Sequence, residues 1–378
     1  MHQIIIYPVG NGDTSQIILE NGARILFDFK HVKKTEKGEG PEINLKDRLK
    51  DELKKANKKS FDVVAFTHND KDHIANSIEF FELRHADKYQ GEGRIKIDEL
   101  WVPAAMILET ASNDELSDEF IIWRQEARYR LLKGKGIRVF SKPEKLNDWL
   151  EENDLTLDSR RHLITDAGAI VPGFILDNDG IEFFCHSPFI KHVDESENLC
   201  NEAALVFNVR FKVGNSTIDY LAVGDSHWEV LEDIVRSTKY HKNTDRLAWD
   251  IYNIPHHCSY LALSDEKGEF ETTPKPLIKD LLLEGKKNAY IVSSSNPIND
   301  TEEGQKQILP PHIQAKKCYE KYLKKVDGAK FLITMEEPNK EKPEPIIFNV
   351  ESNGITRGGK STASAVATII SSPAPRAG

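Results

Sequence analysis

The stretch that most limits what this chain can fold into runs from Phe61 to Asn76. An apolar run, Val63 to Phe66, is typical of a buried strand, and the sequence HNDKDH follows at once. Four side chains of that turn can bind a metal: His68, Asp70, Asp72 and His73. They follow the carboxyl end of a strand, where layered α/β proteins build their sites. The alternative is a solvated strand-to-helix loop with Asp72 near a helix N-cap, so the rest of the chain has to decide.

Composition narrows the class of protein. At 378 residues and 39% hydrophobic content, the chain can form one large domain or two ordinary ones. A net charge of −10 argues against broad binding to nucleic acid, although it leaves room for a local basic groove. The four cysteines lack CxxC spacing, which excludes a zinc finger and a disulfide framework. With no basic leader and no apolar run near ~18 residues, we expect a cytoplasmic protein without a membrane partner.

Hydrophobic periodicity predicts the order of the elements. The chain opens as a β-meander, and amphipathic helices follow at 45–56 and 74–85. Strands resume after residue 180. The strands predicted in the two halves are 3–9, 16–19, 24–29, 63–66 and 97–102, then 181–185, 203–211, 217–223 and 251–254. Two β-rich halves, each followed by helices, predict an α/β (α+β) fold of the αββα sandwich type.

Two segments depart from this pattern. Residues 109–166 contain a helix at 120–133 that ends at Gly134, and we expect this block to be a helical insertion. It would serve as a lid or as a surface for a partner protein within a domain that spans 1–358. Residues 359–378 are rich in Ser, Ala, Pro and Gly, which predicts a disordered or docking tail.

Two further strand ends carry ligand-capable residues, in GDSH at Gly224–His227 and in PHH at Pro255–His257. Three such ends, in an order that lets one site collect them, favour a metal centre over a polar loop. Carboxylates and imidazoles without a thiolate suit Zn²⁺, Mn²⁺ or Fe. In an extended segment His68 and Asp70 point the same way. Asp72 and His73 turn to the other side, which suits two adjacent metals.

These motifs resemble the metallo-β-lactamase superfamily, and within it the nuclease-like domain of ComEC-type bacterial DNA-uptake proteins. The resemblance covers roughly residues 1–350 apart from the insertion. It implies a metallo-β-lactamase-like αββα sandwich. The matching segments are Val9–Asp13, Leu26–Asp28, Thr67–His73, Ser187–Pro188, Asn201, Leu221–Asp225, Ile254–Ser259, Ser293–Asn296 and His312.

The resemblance also implies a site with two divalent ions, Zn²⁺ or Mn²⁺. His68 and Asp70 would bind the first ion, with Asp70 where most of the superfamily has a second His. Asp72 and His73 would bind the second ion, and Asp225 would bridge both. The first ion would be the weaker one, because an Asn stands at 201 where many members have a His. Its remaining ligand would be either Asn201 or His186.

The resemblance leaves some roles open. One of His256 and His257 would complete the second site and the other would face the substrate; our working assignment makes His257 the ligand and His256 catalytic. Asp28 would orient the ligands. His312, at a helix start, would either cap that helix or bind a substrate phosphate. Asp13 is expected to shape the first hairpin.

The function implied is a metal-dependent hydrolase, a phosphodiesterase or nuclease in which a metal-bound hydroxide attacks the phosphorus. Its substrate would be single-stranded nucleic acid, a nucleotide or another phosphodiester. One alternative is hydrolysis of another ester, a thioester or a lactone. The other is a metal-stabilised binding or signalling module without catalysis, which the insertion and the tail favour.

Overall fold

The computed structural model describes residues 1–109, 117–195 and 203–358. The predicted tail, residues 110–116 of the predicted insertion, and Asn201 lie outside these ranges. Among the helices of the described ranges, none combines the length and apolarity that crossing a bilayer requires.

Two β-sheets form the centre of the molecule. In the described ranges the first sheet has the order β15-β14-β1-β2-β3-β4-β5-β6-β7. Its strands are β1 (His2–Ile6), β2 (Ser15–Ile18), β3 (Arg24–Phe27), β4 (Ser60–Ala65), β5 (Lys96–Pro103), β6 (Ile137–Phe140), β7 (Ile164–Thr165), β14 (Ile346–Glu351) and β15 (Gly354–Gly358). The strands from β3 to β7 pair in parallel, whereas the remaining pairs of this sheet are antiparallel.

The second sheet has the order β13-β12-β11-β10-β9-β8 within the same ranges. Its strands are β8 (Ile181–Ser187), β9 (Val206–Val213), β10 (Ser216–Val223), β11 (Trp249–Asn253), β12 (Gly285–Ser293) and β13 (Lys330–Ile333). The pairing of β10 with β11 is parallel, so the carboxyl ends of these two strands lie at one edge.

The larger helices cover the outer faces of both sheets, and short helices lie in the connections between strands. The α-helices in the described residues are α1 (Leu45–Lys55), α2 (Lys71–Ile74), α3 (Ala104–Leu108), α4 (Asp118–Lys133), α5 (Glu144–Glu151), α6 (Leu157–Arg160), α7 (Leu176–Asp179), α8 (Ile190–Glu195), α9 (Trp228–Tyr240), α10 (Pro276–Leu283), α11 (Glu302–Lys306) and α12 (Ile313–Lys325).

The alternation of side chains along the strands creates the layers. In β1, Ile4 and Ile6 lie in the core between the two sheets, while Ile5 packs against the outer helices. In β4, Val63 and Val64 divide in the same way, as the period of two in a strand requires. A separate apolar core lies between the second sheet and α9, α10 and α12. This order of helix, sheet, sheet and helix confirms the predicted αββα sandwich.

The described part of residues 109–166 belongs to the sandwich itself. Phe120 and Trp123 of α4 and Leu146 of α5 are fully buried in the core that covers the first sheet. β6 continues that sheet next to β5, and β7 pairs with β6. These residues therefore form outer helices and the last strands of the larger sheet.

The helix predicted at 74–85 is wrong, because α2 ends at Ile74. Asn76 adopts a left-handed conformation with a φ of 61°, which a right-handed helix cannot continue through. The chain then turns so that Phe80 is buried, and the indole N–H of Trp123 donates to Ser77 Oγ over 2.7 Å. Packing across the outer layer thus overrides the helical periodicity of this segment.

A buried ionic network ties α4 to the earlier segment that contains Arg84 and His85. Glu126 is fully buried, and its Oε1 accepts a hydrogen bond of 2.6 Å from Arg130 Nε. Its Oε2 accepts from the backbone N–H groups of Arg84 and His85, at 2.8 and 2.9 Å, and from His85 Nδ1. One buried carboxylate therefore satisfies several donors at once.

Replacing Glu126 with Ala should lower the free energy of unfolding by about 3 kcal/mol, because the buried Arg130 would lose the carboxylate that balances its charge and two backbone N–H groups would lose their acceptor. Urea titration followed by circular dichroism would measure this. The matched control is Glu151→Ala, in which an exposed carboxylate loses only a contact with Asn147. We expect a change within about 0.5 kcal/mol for the control. Equal losses for the two variants would contradict the network's role.

The same carboxyl should make stability depend on pH. Burial raises the pKa of Glu126, but the hydrogen bond from His85 and the charge of Arg130 lower it from 4.5 to about 2. A pKa that is lower in the folded state stabilises the fold above the unfolded pKa, and this contribution is lost as pH falls towards 2. The stability difference between the wild type and Glu126→Gln should therefore stay constant from pH 7 to about 5 and shrink below it. Urea titrations at pH 7, 5, 4 and 3 test this, and a difference unchanged at pH 3 would refute it.

Candidate metal centre

Functional side chains from both sheets meet at one edge of the sandwich. The ligand atoms of Asp13, His73, Asp225 and His257 all lie within 4.8 Å of one another, and all four residues are buried. We call this group the four-residue cluster. His73 comes from the turn after β4, Asp225 follows β10 and His257 follows β11. The cluster therefore joins strand ends that are far apart in sequence.

Asp28 fixes the orientation of His73. Its Oδ1 and Oδ2 accept hydrogen bonds from the backbone N–H and the hydroxyl of Thr67, at 2.7 and 2.6 Å. Its Oδ2 also lies 2.7 Å from Nδ1 of His73, which donates to it. The other ring nitrogen, Nε2, then points into the cluster, 3.3 Å from Asp225 Oδ1. Within the described residues this buried Nε2 has no hydrogen-bond partner, so it is left as a free ligand atom.

An unusual backbone conformation places His257. Three successive residues, His256, His257 and Cys258, have left-handed φ angles of 51°, 52° and 66°. Non-glycine residues rarely adopt this conformation, and where they do, they cluster at functional sites. Here it lets His257 Nδ1 donate to the carbonyl of Ser294 over 2.9 Å, while the N–H of His256 donates to Asp225 Oδ1. Nε2 of His257 then lies 3.6 Å from Asp225 Oδ2.

A second set of ligand atoms adjoins the four-residue cluster. Nε2 of His68 lies 3.6 Å from Asp70 Oδ2 and 3.9 Å from Asp225 Oδ2. Like that of His73, this buried nitrogen has no hydrogen-bond partner in the described part of the chain. Asp225 therefore lies between the His68 side and the His73 side of the site.

The electrostatics of the centre favour positive charge. Burial opposes ionisation of Asp225, but His257 and His73 hold its pKa well below the ordinary value. Burial alone would lower the pKa of His257, yet the charge of Asp225, the hydrogen bond with Asp72 and the charge of Asp13 raise it to about 9. A divalent cation meets the same demand, and buried imidazole nitrogens without partners are its natural ligands. The residues therefore fit a metal ion, and the cluster is able to bind one.

Asp13 has a role that the sequence did not predict. It was expected only to shape a hairpin, but it belongs to the four-residue cluster, and its Oδ2 lies 3.8 Å from His73 Nε2. Asp72, predicted to bind the second ion, adjoins the cluster at its rim, with 36% of its side chain exposed and its Oδ2 3.0 Å from His257 Nε2. The sequence signal for Asp13 was its place in the VGNGD turn, which the resemblance included without giving it a ligand role.

His256 and His312, the two other histidines predicted to act on the substrate, differ in the contacts of their ring nitrogens. His256 is half-buried beside the cluster, with its ring stacked on that of His227 at 5.4 Å between centroids. Its Nδ1 is buried and has no hydrogen-bond partner among the described residues. His312 precedes α12, but its Nδ1 accepts from the N–H of Tyr260 and its Nε2 donates to the carbonyl of Ile308. Neither ring nitrogen of His312 is free for a phosphate.

The sequence left two candidates, Asn201 and His186, for the remaining ligand of the first ion. Asn201 lies outside the described residues. His186 is buried, with Nε2 3.0 Å from the carbonyl of Arg246 and Nδ1 3.3 Å from the hydroxyl of Thr238. Both ring nitrogens of His186 are therefore engaged away from the cluster.

Comparisons with solved structures find weak overall similarities that extend over most of the chain. The chain is similar to unliganded yeast PDE1 with a TM-score of 0.43 and 10% identity, over 88% of this chain and 97% of that one. It is similar to the metallo-β-lactamase GOB-18 from Elizabethkingia meningoseptica with a TM-score of 0.31 and 13% identity, over 85% and 86% of the two chains. For a diphosphatase from the PhnP family the values are 0.30 and 12%, over 83% and 94%.

No protein-family model and no curated protein matches the chain. At the TM-scores found, the likenesses assign no role to any residue of this chain. Closeness to the ComEC-type domain stays a prediction from the sequence.

The position of Asp28 leads to a test of the metal centre. Asp28→Asn should weaken Zn²⁺ binding by about 10- to 100-fold, because it removes the carboxylate that orients His73. Competition with a chelating dye would give the dissociation constant. The control is Asp62→Asn on β4, whose carboxylate accepts from the N–H of Arg24 and from Lys58. Zinc affinity equal to that of the wild type in Asp28→Asn would contradict the orienting role.

Proposed function

We propose that this protein is a metal-dependent phosphodiesterase. The observation that carries the proposal is the four-residue cluster: buried carboxylates and imidazoles from separate strand ends converge, and Nε2 of His73 has no hydrogen-bond partner among the described residues. A divalent ion held there would supply Lewis-acid chemistry, lowering the pKa of water and polarising a phosphoryl oxygen. Asp225, between the two sides of the site, fits the proposed bridging position for two ions.

Two features support a phosphodiester as the substrate. The sequence resembles the nuclease-like ComEC-type domain. Part of this resemblance is Asp70, which occupies a position where most of the superfamily has a His. The donor set is also rich in carboxylates, with Asp13, Asp70 and Asp225 facing the histidines. Oxygen ligands favour Mn²⁺ as well as Zn²⁺, and Mn²⁺ is suited to phosphate chemistry. Single-stranded nucleic acid and nucleotides are therefore the substrates to examine first.

The residues of the site form two groups. We call the buried group around the four-residue cluster the floor, and the partly exposed group at the opening of the site the rim. On the floor, Asp28 holds the ring of His73 in place through Nδ1. At the rim, Asp72 offers a partly exposed carboxylate that can orient the attacking water by a hydrogen bond. His256, beside it, is half-buried and stacks its ring on that of His227, which places this histidine next to the region where a substrate would bind.

The test of this function uses purified protein loaded with Mn²⁺ or with Zn²⁺. We expect turnover of bis(p-nitrophenyl) phosphate, and a loss of about 100-fold or more in His73→Ala and Asp225→Ala together with loss of bound metal. Elemental analysis measures the metal. His162→Ala is the control, since His162 is exposed and contacts only the carbonyl of Gly134. Wild-type turnover in Asp225→Ala would refute the mechanism.

A substrate panel separates this function from its alternatives. The panel contains a phosphodiester, an oligonucleotide, a p-nitrophenyl ester, a thioester and a lactone, each at fixed metal concentration. Turnover of only the carbonyl substrates would replace the phosphodiesterase proposal with an esterase. Stoichiometric metal without turnover of any member would favour the binding module.

A further inference from the structure

A lysine that the sequence analysis did not single out lies beside the metal centre. Lys30 follows β3 by three residues and is half-buried. Its side chain runs under the loop Gly10–Asp13: a Cβ on Gly12 would overlap that side chain and would lie 2.6 Å from the backbone oxygen of Asp72. Glycine at position 12 therefore leaves the space through which Lys30 reaches the rim.

The loop above Lys30 is held from the other half of the chain. Asn11 Nδ2 donates to the carbonyl of Pro310 over 2.9 Å, and Asn11 Oδ1 accepts from the N–H of Asn296 over 2.8 Å. The backbone N–H of Asp13 donates to the carbonyl of Asp72. With the loop fixed at both ends, the ammonium of Lys30 is held in place rather than left to sample solvent.

The ammonium has more donors than the protein uses. Nζ of Lys30 donates to the backbone carbonyl of Asn11, and among the described residues no carboxylate oxygen lies within 4.0 Å of it. The charges of Asp72, Asp13 and Glu42 act on it from farther away, and Glu42 already pairs with Lys34 at 3.1 Å. A lysine carries three N–H donors, so two stay available to an anion at the rim.

We propose that Lys30 binds a non-bridging phosphate oxygen of the substrate and so makes the site select phosphodiesters over neutral esters. The inference rests on the proposed function and deepens it. An anionic diester that approaches the rim meets Asp72 and Asp70, whose negative charges repel it. The Lys30 ammonium offsets that repulsion and gives the phosphate a charge-assisted hydrogen bond. A neutral ester has no charge to gain from this contact.

The experiment compares Lys30→Met with the wild type in the zinc-loaded protein. We expect kcat/KM for bis(p-nitrophenyl) phosphate to fall about 10- to 100-fold, the loss expected for a hydrogen bond to a charged group. For p-nitrophenyl acetate we expect a change below about threefold, since no charged contact is lost. Inorganic phosphate, titrated by calorimetry, should bind about tenfold more weakly to the variant.

Two further variants control for the loss of a positive charge near the site and for destabilisation of the fold. Lys33→Met is the matched control: this lysine lies in the same loop, but it is 59% exposed and pairs with Glu79 at 2.7 Å. Lys30→Gln keeps a polar side chain under the loop that contains Gly12. If Lys30→Met is destabilised, Lys30→Gln should still show the same loss of phosphate affinity and of kcat/KM for the diester. Thermal melting and elemental analysis verify that all variants fold and hold the wild-type amount of zinc.

The outcomes separate the inference from the proposed function. If the wild type turns over only neutral esters, or nothing, while Lys30→Met still loses phosphate affinity, the phosphodiesterase proposal fails and anion binding by Lys30 stands. If the wild type hydrolyses the diester but both Lys30 variants match it in phosphate affinity and substrate preference, the inference fails and the function stands. Equal losses on the two substrates with unchanged phosphate affinity would also overturn the inference.

Discussion

Burial of several carboxylates at one edge of the sandwich is the constraint on which the site depends. Asp13, Asp28 and Asp225 are all nearly inaccessible to solvent. An unpaired buried charge costs several kcal/mol, so each carboxylate needs a cation or strong donors within reach. Thr67 and His73 satisfy Asp28 with hydrogen bonds. Asp13 and Asp225 instead face the Nε2 atoms of imidazoles in a cluster that can hold a metal ion. Positive charge from imidazolium groups or from a bound cation therefore stabilises the ionised carboxylates of this centre.

Contact between the two sheets sets the distances within that centre. The backbone of Thr67 accepts a hydrogen bond of 2.8 Å from Leu205, which precedes β9 in the opposite sheet. A Cβ on Gly224 would lie 2.9 Å from the Cβ of Thr67, so the two sheets approach each other here because position 224 carries no side chain. Thr67 precedes His68 and Gly224 precedes Asp225. This single close contact thus brings the ligands of one sheet within reach of those of the other.

Much of this could be predicted from the sequence, because the decisive signals are local. Apolar runs that end in HNDKDH, GDSH and PHH mark strand ends, and alternating side chains predict the two sheets. What the sequence could not give depends on contacts between distant segments. Asp13 joins the cluster only because the first hairpin packs on the turn that contains Asp72. The segment after Ile74 has helical periodicity, yet Asn76 and the packing of Phe80 end the helix.

The separation between floor and rim explains why metal binding and substrate choice need different tests. The floor consists of buried carboxylates and imidazoles, a donor set that suits any hydrolysis assisted by a metal. Substrate choice must then come from groups that the metal leaves free, and Lys30 and the partly exposed Asp72 are such groups. Of these two, only Lys30 is cationic. Because a phosphodiester differs from a neutral ester chiefly in its charge, Lys30 is the rim residue whose removal should separate the two substrates without changing the metal content.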